Sequence, residues 1–286
     1  MRRVVTSPER SYDRGAGSVA SPSERPAPPP GALESALRSR RDAGHKLLVP
    51  YVTGGLRGDW ADVVRAVAAA GADAIEIGLP FSDPVMDGPV IQQASAEALA
   101  AGATPTGILR VLAGVDAGVP LAVMTDYNVV LRSGHRRMAN VLADSGVAGA
   151  IIPDLPLEEL GPWAEEAEAA GVETVLLAAP TTPEARLRQI CERSRGFVYG
   201  VGLMGVTGER DFLADSSLEI AARCKAATDR PVLIGVGIST AAQARAVSQV
   251  ADGVVVGSAL ISRLLAGAGP DGAAAFVAEL RAALDA

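Results

Sequence analysis

Histidine and cysteine are nearly missing from this chain, which has two of each among its 286 residues. Cys191 and Cys224 stand far apart and lack zinc-ligand spacing, so neither a disulfide framework nor a cysteine metal centre is expected. Both read as small apolar residues on helices. With only His45 and His135 available, a histidine-based metal site or a hydroxyl–imidazole triad has too few parts. Basic charge is also in short supply. Lys and Arg total 26 against 33 Asp and Glu, a net charge of −7, which argues against a nucleic-acid partner. No apolar run reaches the length of a transmembrane helix, so no membrane role is expected. The N-terminus has no hydrophobic signal region, and a cytoplasmic location is expected. Aromatics make up 3% of the chain while 49% is hydrophobic. Ala, Val, Leu and Gly therefore carry the core, a composition suited to helices packed on buried parallel strands.

Residues 1–30 are rich in Pro, Ser, Gly and Arg and poor in large apolar residues, the pattern of a disordered extension. From Gly31 the pattern changes. GALESALRSRRDAG carries Leu33 and Leu37 at helical spacing and predicts an extra N-terminal helix. KLLVPYVTGG follows as a strand and DWADVVRAVAAAG as an amphipathic helix. The strand–helix unit then recurs through DAIEIGLP, VPLAVMT, AGAIIPD, ETVLLAAP, GFVYGV, RPVLIGVG and ADGVVVGS, with GAAAFVAELRAALDA closing the chain as a helix. About eight such units in one domain over 31–286 predict a (β/α)8 TIM barrel. An open doubly wound sheet is the alternative, but no GxGxxG opens a helix after the first strand.

Barrel active sites lie at the C-terminal ends of the strands. Within IEIGLPFSDPVMDGPV, Ile75 and Ile77 share one face, and burying them under helices turns Glu76 into the barrel. A carboxyl there is costly to ionise, so its pKa should rise toward the range of a general acid/base. The following loop, stiffened by Pro80, Pro84 and Pro89, carries Asp83 and Asp87 above the mouth. Alone, Asp87-Gly88 would read as turn chemistry; its spacing from Glu76 lets both reach one substrate. Glycine-bearing segments GLMGVTGER, GVGIST and GSALIS follow the sixth, seventh and eighth strands. Barrels commonly bind phosphate there with backbone amides and a helix N-terminus. Gly237 and Gly257 let the backbone approach an anion, and Ser258 adds a hydroxyl where ALISRLL begins a short helix.

These segments, together with LVPYVTGG, GAIIPDLPLEE and APTTPEARL, resemble the tryptophan synthase α subunit family in content and order, from about residue 32 to the end. The Glu76-to-Asp87 segment with its PFSDP core is the specific signature; the glycine loops are shared with other phosphate-binding barrels. The resemblance implies cleavage of indole-3-glycerol phosphate to indole and glyceraldehyde 3-phosphate, without metal or organic cofactor, in partnership with a β subunit. It implies Glu76 as the acid/base carboxyl and Asp87 as the second catalytic carboxylate. Tyr199 matches the family's strand-six tyrosine, and Tyr51 its aromatic against the indole. Thr207 matches a loop residue that closes onto the loop aspartate, and Gly208, Gly237, Gly257 and Ser258 match phosphate-binding positions.

The chain departs from the family pattern in places. Leu56 stands where Asp is usual after TGG, Asp126 replaces a tyrosine, and Leu203 and Met204 replace an Arg and its neighbour in GLMGVTG. Met86 replaces a smaller residue. These departures bear on coupling to a β subunit. They leave two further readings open: the same lyase working alone to supply free indole, and a catalytically weak barrel kept as a regulatory subunit. The intact Glu76, Asp87 and Tyr199 speak against the latter.

Overall fold

A computed structural model describes residues 29–202, 210–235 and 237–286. The span read as a disordered tail lies, up to residue 28, outside the described residues. So do Leu203, Met204, Thr207 and Gly208.

Eight parallel strands close into a barrel in sequential order, with the last pairing to the first. They are β1 (Leu47–Thr53), β2 (Ile75–Gly78), β3 (Leu121–Met124), β4 (Val147–Ile151), β5 (Glu173–Ala178), β6 (Val198–Val201), β7 (Val232–Gly235) and β8 (Gly253–Val256). The helices are α1 (Ala32–Asp42), α2 (Trp60–Ala69), α3 (Pro89–Ala100), α4 (Pro105–Leu112), α5 (Tyr127–Ser133), α6 (His135–Asp144), α7 (Leu160–Ala169), α8 (Glu184–Arg193), α9 (Arg210–Ala227), α10 (Ala241–Ser248), α11 (Ser258–Leu265) and α12 (Gly269–Leu284). The TIM barrel and its extra N-terminal helix are as expected from the sequence. Helices α4 and α5 are additions that the strand–helix alternation does not announce.

The strands sort their side chains by parity. Ala74, Leu47, Val49, Val175, Phe197, Leu233 and Val255 form an inner cluster, while Ile75, Ile77, Val52 and Val254 join the layer under the helices. Helix α1 closes the bottom. Its Leu33 and Leu37 are fully buried and belong to the inner cluster. Gly149 and Gly196 make room for Leu33: a methyl group on either would lie 2.6 or 2.8 Å from the leucine Cδ2.

Carboxylates at the lower rim anchor this plug. Glu173, at the start of β5, accepts the amides of Gly31, Leu33 and Glu34, with the Leu33 bond at 2.7 Å. It thus caps α1 from the other side of the barrel. Asp73, just before β2, accepts from Arg40, Arg281 and the Leu48 amide. Asp252, just before β8, accepts from Lys225 and the Val232 amide. Each is a buried anion with its partners supplied, so its role is architectural. Glu173→Ala is expected to destabilise the fold by about 2–4 kcal/mol, because it leaves buried helix amides unpaired and a void beneath α1. Urea unfolding monitored by circular dichroism measures this.

Leu56 is explained by packing. It is 4% exposed and lines an internal gap with Val52, Trp60, Val63 and Leu264, so it belongs to the core between β1, α2 and α11. Cys191 on α8 and Cys224 on α9 are buried free thiols, the small-residue role expected of them.

Candidate active site

At the upper rim one acid is treated differently from those below. Glu76 is 1% exposed, and neither of its carboxyl oxygens has a hydrogen-bond partner. The β2 register places it beside Tyr51 on β1 and Ala122 on β3. Its inward direction follows from Ile75 and Ile77 packing outward, as the sequence pattern implied. Burial, and then the negative charge of Asp87, raise its pKa to about 8. Glu76 is therefore mostly protonated at neutral pH.

Asp87 ends the loop that follows β2, directly before Gly88, the N-cap of α3. Pro89 at the first helical position starts α3 without needing an amide partner. The loop is held from within: the Asp87 amide donates to the Pro84 carbonyl at 3.2 Å, and the Gln92 side-chain amide donates to the Asp87 carbonyl at 2.9 Å. Asp87 is half-buried, and burial raises its pKa to about 6. It still ionises below Glu76. Its place ahead of the α3 N-terminus favours the charged form. Asp83 is exposed, hydrogen-bonded to Ser82 and to its own turn, and plays no part in the cleft.

Two tyrosines complete the chamber. A Cβ at Gly78 would collide with the Tyr51 hydroxyl, and one at Gly235 with the Tyr199 ring, so each aromatic lies over a glycine of a neighbouring strand. Both hydroxyls are raised in pKa by burial first, and both feel the charges of Glu76 and Asp87. Tyr199 makes no hydrogen bond to Glu76, which leaves the carboxyl free to meet a ligand.

Of the expected phosphate contacts, Gly237, Gly257 and Ser258 are described and stand after β7 and β8. Gly237 has φ +85°, a conformation that favours glycine. Gly257 has φ −105°, and a Cβ there would lie 3.6 Å from the Tyr51 Cβ in ordinary contact, so neither backbone strain nor crowding demands glycine. Helix α10 caps its own start through Thr240 and Gln243, whereas the N-terminus of α11 at Gly257–Ser258 receives no side-chain cap. That open helix end is suited to an anion.

Sequence reasoning passed over two residues here. Thr53 at the end of β1 and Thr125 just after β3 are buried; the Thr53 hydroxyl lies beside that of Tyr51, and the Thr125 hydroxyl has no partner. Thr125 lines the mouth cleft with Tyr51, Met86, Asp87 and Asp126. Position at a strand's C-terminal end was the available signal. Among the described residues, no group of three or more His, Cys, Asp or Glu is placed to hold a metal ion.

Residues 37–283 match the family model for the tryptophan synthase alpha chain. The chain belongs to that family. It is 41% identical to the tryptophan synthase alpha chain of Streptomyces coelicolor over 261 residues, covering 87% of this chain and 94% of the relative. The alpha chain of Thermobifida fusca is 44% identical over 240 residues, covering 82% and 88%. A chain of the Mycobacterium tuberculosis tryptophan synthase structure superposes with a TM-score of 0.82 at 37% identity, covering 90% of this chain and 99% of that one. Membership makes the mouth of this family barrel, with its orphaned carboxyl, the place to seek the chemistry.

Proposed function

We propose that the chain is a lyase that cleaves indole-3-glycerol phosphate by retro-aldol chemistry, as the α subunit of a tryptophan synthase. The carrying observation is the pair Glu76 and Asp87: a buried carboxyl without internal partners, and a half-buried one that ionises more readily. Two like groups held in unlike environments can perform opposite tasks.

Glu76 begins protonated and donates its proton to C3 of the indole ring. The ring becomes an indoleninium, with positive charge at its N–H. Ionised Asp87 accepts a hydrogen bond from that N–H and stabilises the charge. The Glu76 carboxylate then removes the proton from the glycerol hydroxyl adjacent to the scissile bond. As that C–O becomes a carbonyl, the C–C electrons return to the ring, releasing indole and glyceraldehyde 3-phosphate. Glu76 ends protonated, so the cycle closes with no external acid, base, metal or organic cofactor. Tyr51 and Tyr199 wall the ring and exclude water from Glu76. Gly208, Gly237, Gly257 and Ser258 hold the phosphate and so fix the ring at the other end.

A β partner suits the rim, where Val85 and Met86 are 87% and 62% exposed beside the mouth. Apolar side chains so exposed around a site are typical of a docking face. A cytoplasmic location fits this biosynthetic role, and no helix among the described residues is long and apolar enough to cross a membrane. The test is indole release from indole-3-glycerol phosphate by the purified full chain, alone and with a tryptophan synthase β subunit. Slow release alone, accelerated at least about 10-fold by the partner, is expected. Absence of indole in both arms overturns the lyase assignment, and equal rates in both arms overturn the partnership.

A further inference from the structure

Asp126 lines the same cleft, yet the chemistry above gives it no task. It occupies the N-cap position of α5 with extended backbone, φ −72° and ψ 145°. An aspartate there ordinarily turns its carboxylate onto the first amides of its own helix. Asp126 makes no such bond. The Tyr127 amide donates instead to Oδ1 of Asp154, from the loop after β4, at 2.7 Å. With the cap supplied from a neighbouring loop, the Asp126 carboxylate is free to face the mouth, where it lies with Tyr51, Asp87, Thr125 and Pro153. None of the described residues lining this cleft is basic. Burial, then the charges of Asp154 and Asp87, raise its pKa to about 6, and its own backbone amide is the one group opposing that rise.

Asp87 and Asp126 follow adjacent strands, β2 and β3, and Asp87 is close enough to raise the pKa of Asp126. The indole ring has a single N–H, which the proposed mechanism assigns to Asp87. A second carboxylate enclosed against the same ring loses water and gains nothing in return. A ring carrying a second donor on the edge beside the N–H would restore that bond. Sites built to pair with a substrate hydroxyl or amine discriminate strongly against analogues that lack it.

We infer that Asp126 is a specificity-determining residue that accepts a hydrogen bond from a hydroxyl or amino substituent at position 6 or 7 of the indole, so that the preferred substrate is a substituted indole-3-glycerol phosphate. This rests on the lyase reading, because it concerns the same cleft and the same bond cleavage. The reaction is unchanged; only the ring that best fills the cleft differs.

The test compares kcat/KM for unsubstituted, 6-hydroxy and 7-hydroxy indole-3-glycerol phosphate, using the full chain with a β subunit, in the native protein, Asp126→Ala and Asp126→Asn. The native protein should prefer one hydroxylated substrate by at least about 10-fold. Asp126→Ala should bring that ratio to within about 2-fold of unity, with Asp126→Asn between. The ratio is independent of the folded fraction, so partial unfolding does not imitate the effect. Should Asp126→Ala fail to fold, Asp126→Asn, close in shape, supplies the same comparison. A native preference for the unsubstituted substrate, or a ratio that neither substitution moves, overturns the inference while leaving the lyase intact. No cleavage of any of these substrates removes both.

Discussion

Glu76→Gln is expected to lower kcat for indole formation by at least about 10²-fold, with KM little changed. Glutamine keeps the shape and hydrogen-bonding surface but can neither give C3 a proton nor take one from the glycerol hydroxyl. The native pH profile should be a bell. Activity rises as Asp87 ionises near its pKa of about 6 and falls as Glu76 loses its proton near about 8. The substitution has a second consequence, on stability. The folded pKa of Glu76 lies above its ordinary value of 4.5, at about 8. Below the lower value both folded and unfolded chains hold the proton, and the buried acid carries no ionic penalty. As pH rises between the two values the unfolded chain ionises first and the fold loses stability, with the loss complete above the higher one. Glu76→Gln avoids that loss. Its stability should therefore pull ahead of the native protein's as pH rises from 5 to 9, by on the order of a few kcal/mol, which melting curves at each pH detect as a higher midpoint. A catalytically dead variant that is more stable at alkaline pH is the signature of a buried functional acid. Unchanged turnover would remove Glu76 from the mechanism.

Asp87→Asn should also cost at least about 10²-fold in kcat, through loss of the charge that stabilises the protonated ring. It should further move the alkaline limb of the pH profile to lower pH. The Asp87 charge is among the causes that raise the Glu76 pKa, so neutralising it makes Glu76 easier to ionise. That shift separates an electrostatic partner from a residue that merely shapes the loop. A variant with normal turnover and an unmoved alkaline limb would show that Asp87 is not part of the machinery.

Much of this site is legible before any coordinates. Ile75 and Ile77 dictate the direction of Glu76, because strand side chains alternate with a period of two residues. The same rule does not say what an inward acid meets. Glu173 is also a carboxylate in an apolar strand, and its partner amide at Gly31 is 142 residues away in sequence. One acid is a helix cap and the other is an orphan, a distinction that exists only once the barrel has closed. Helix α4 escaped notice because Gly107 breaks an otherwise apolar pattern that begins at the Thr104 cap. Helix α5 spans 7 residues and takes its first-turn partner from Asp154 in another loop, so nothing local announces it. Asp126 stands out in sequence as a departure from the family; that its carboxylate faces the cleft instead of capping its helix depends on that distant replacement.

By itself the sequence determined the order of the βα units, the inward set of each strand and the loop that carries Asp87. These follow from local periodicity and from the φ restrictions of proline and glycine, which act over a few residues. Tertiary structure alone decided the protonation states and the company each side chain keeps. A carboxyl's pKa is set by the water and charge removed from around it, and closing the barrel brings Tyr51, Glu76 and Tyr199 together from strands far apart in the chain. Desolvation is a property of the assembled neighbourhood, and no short window of residues contains it.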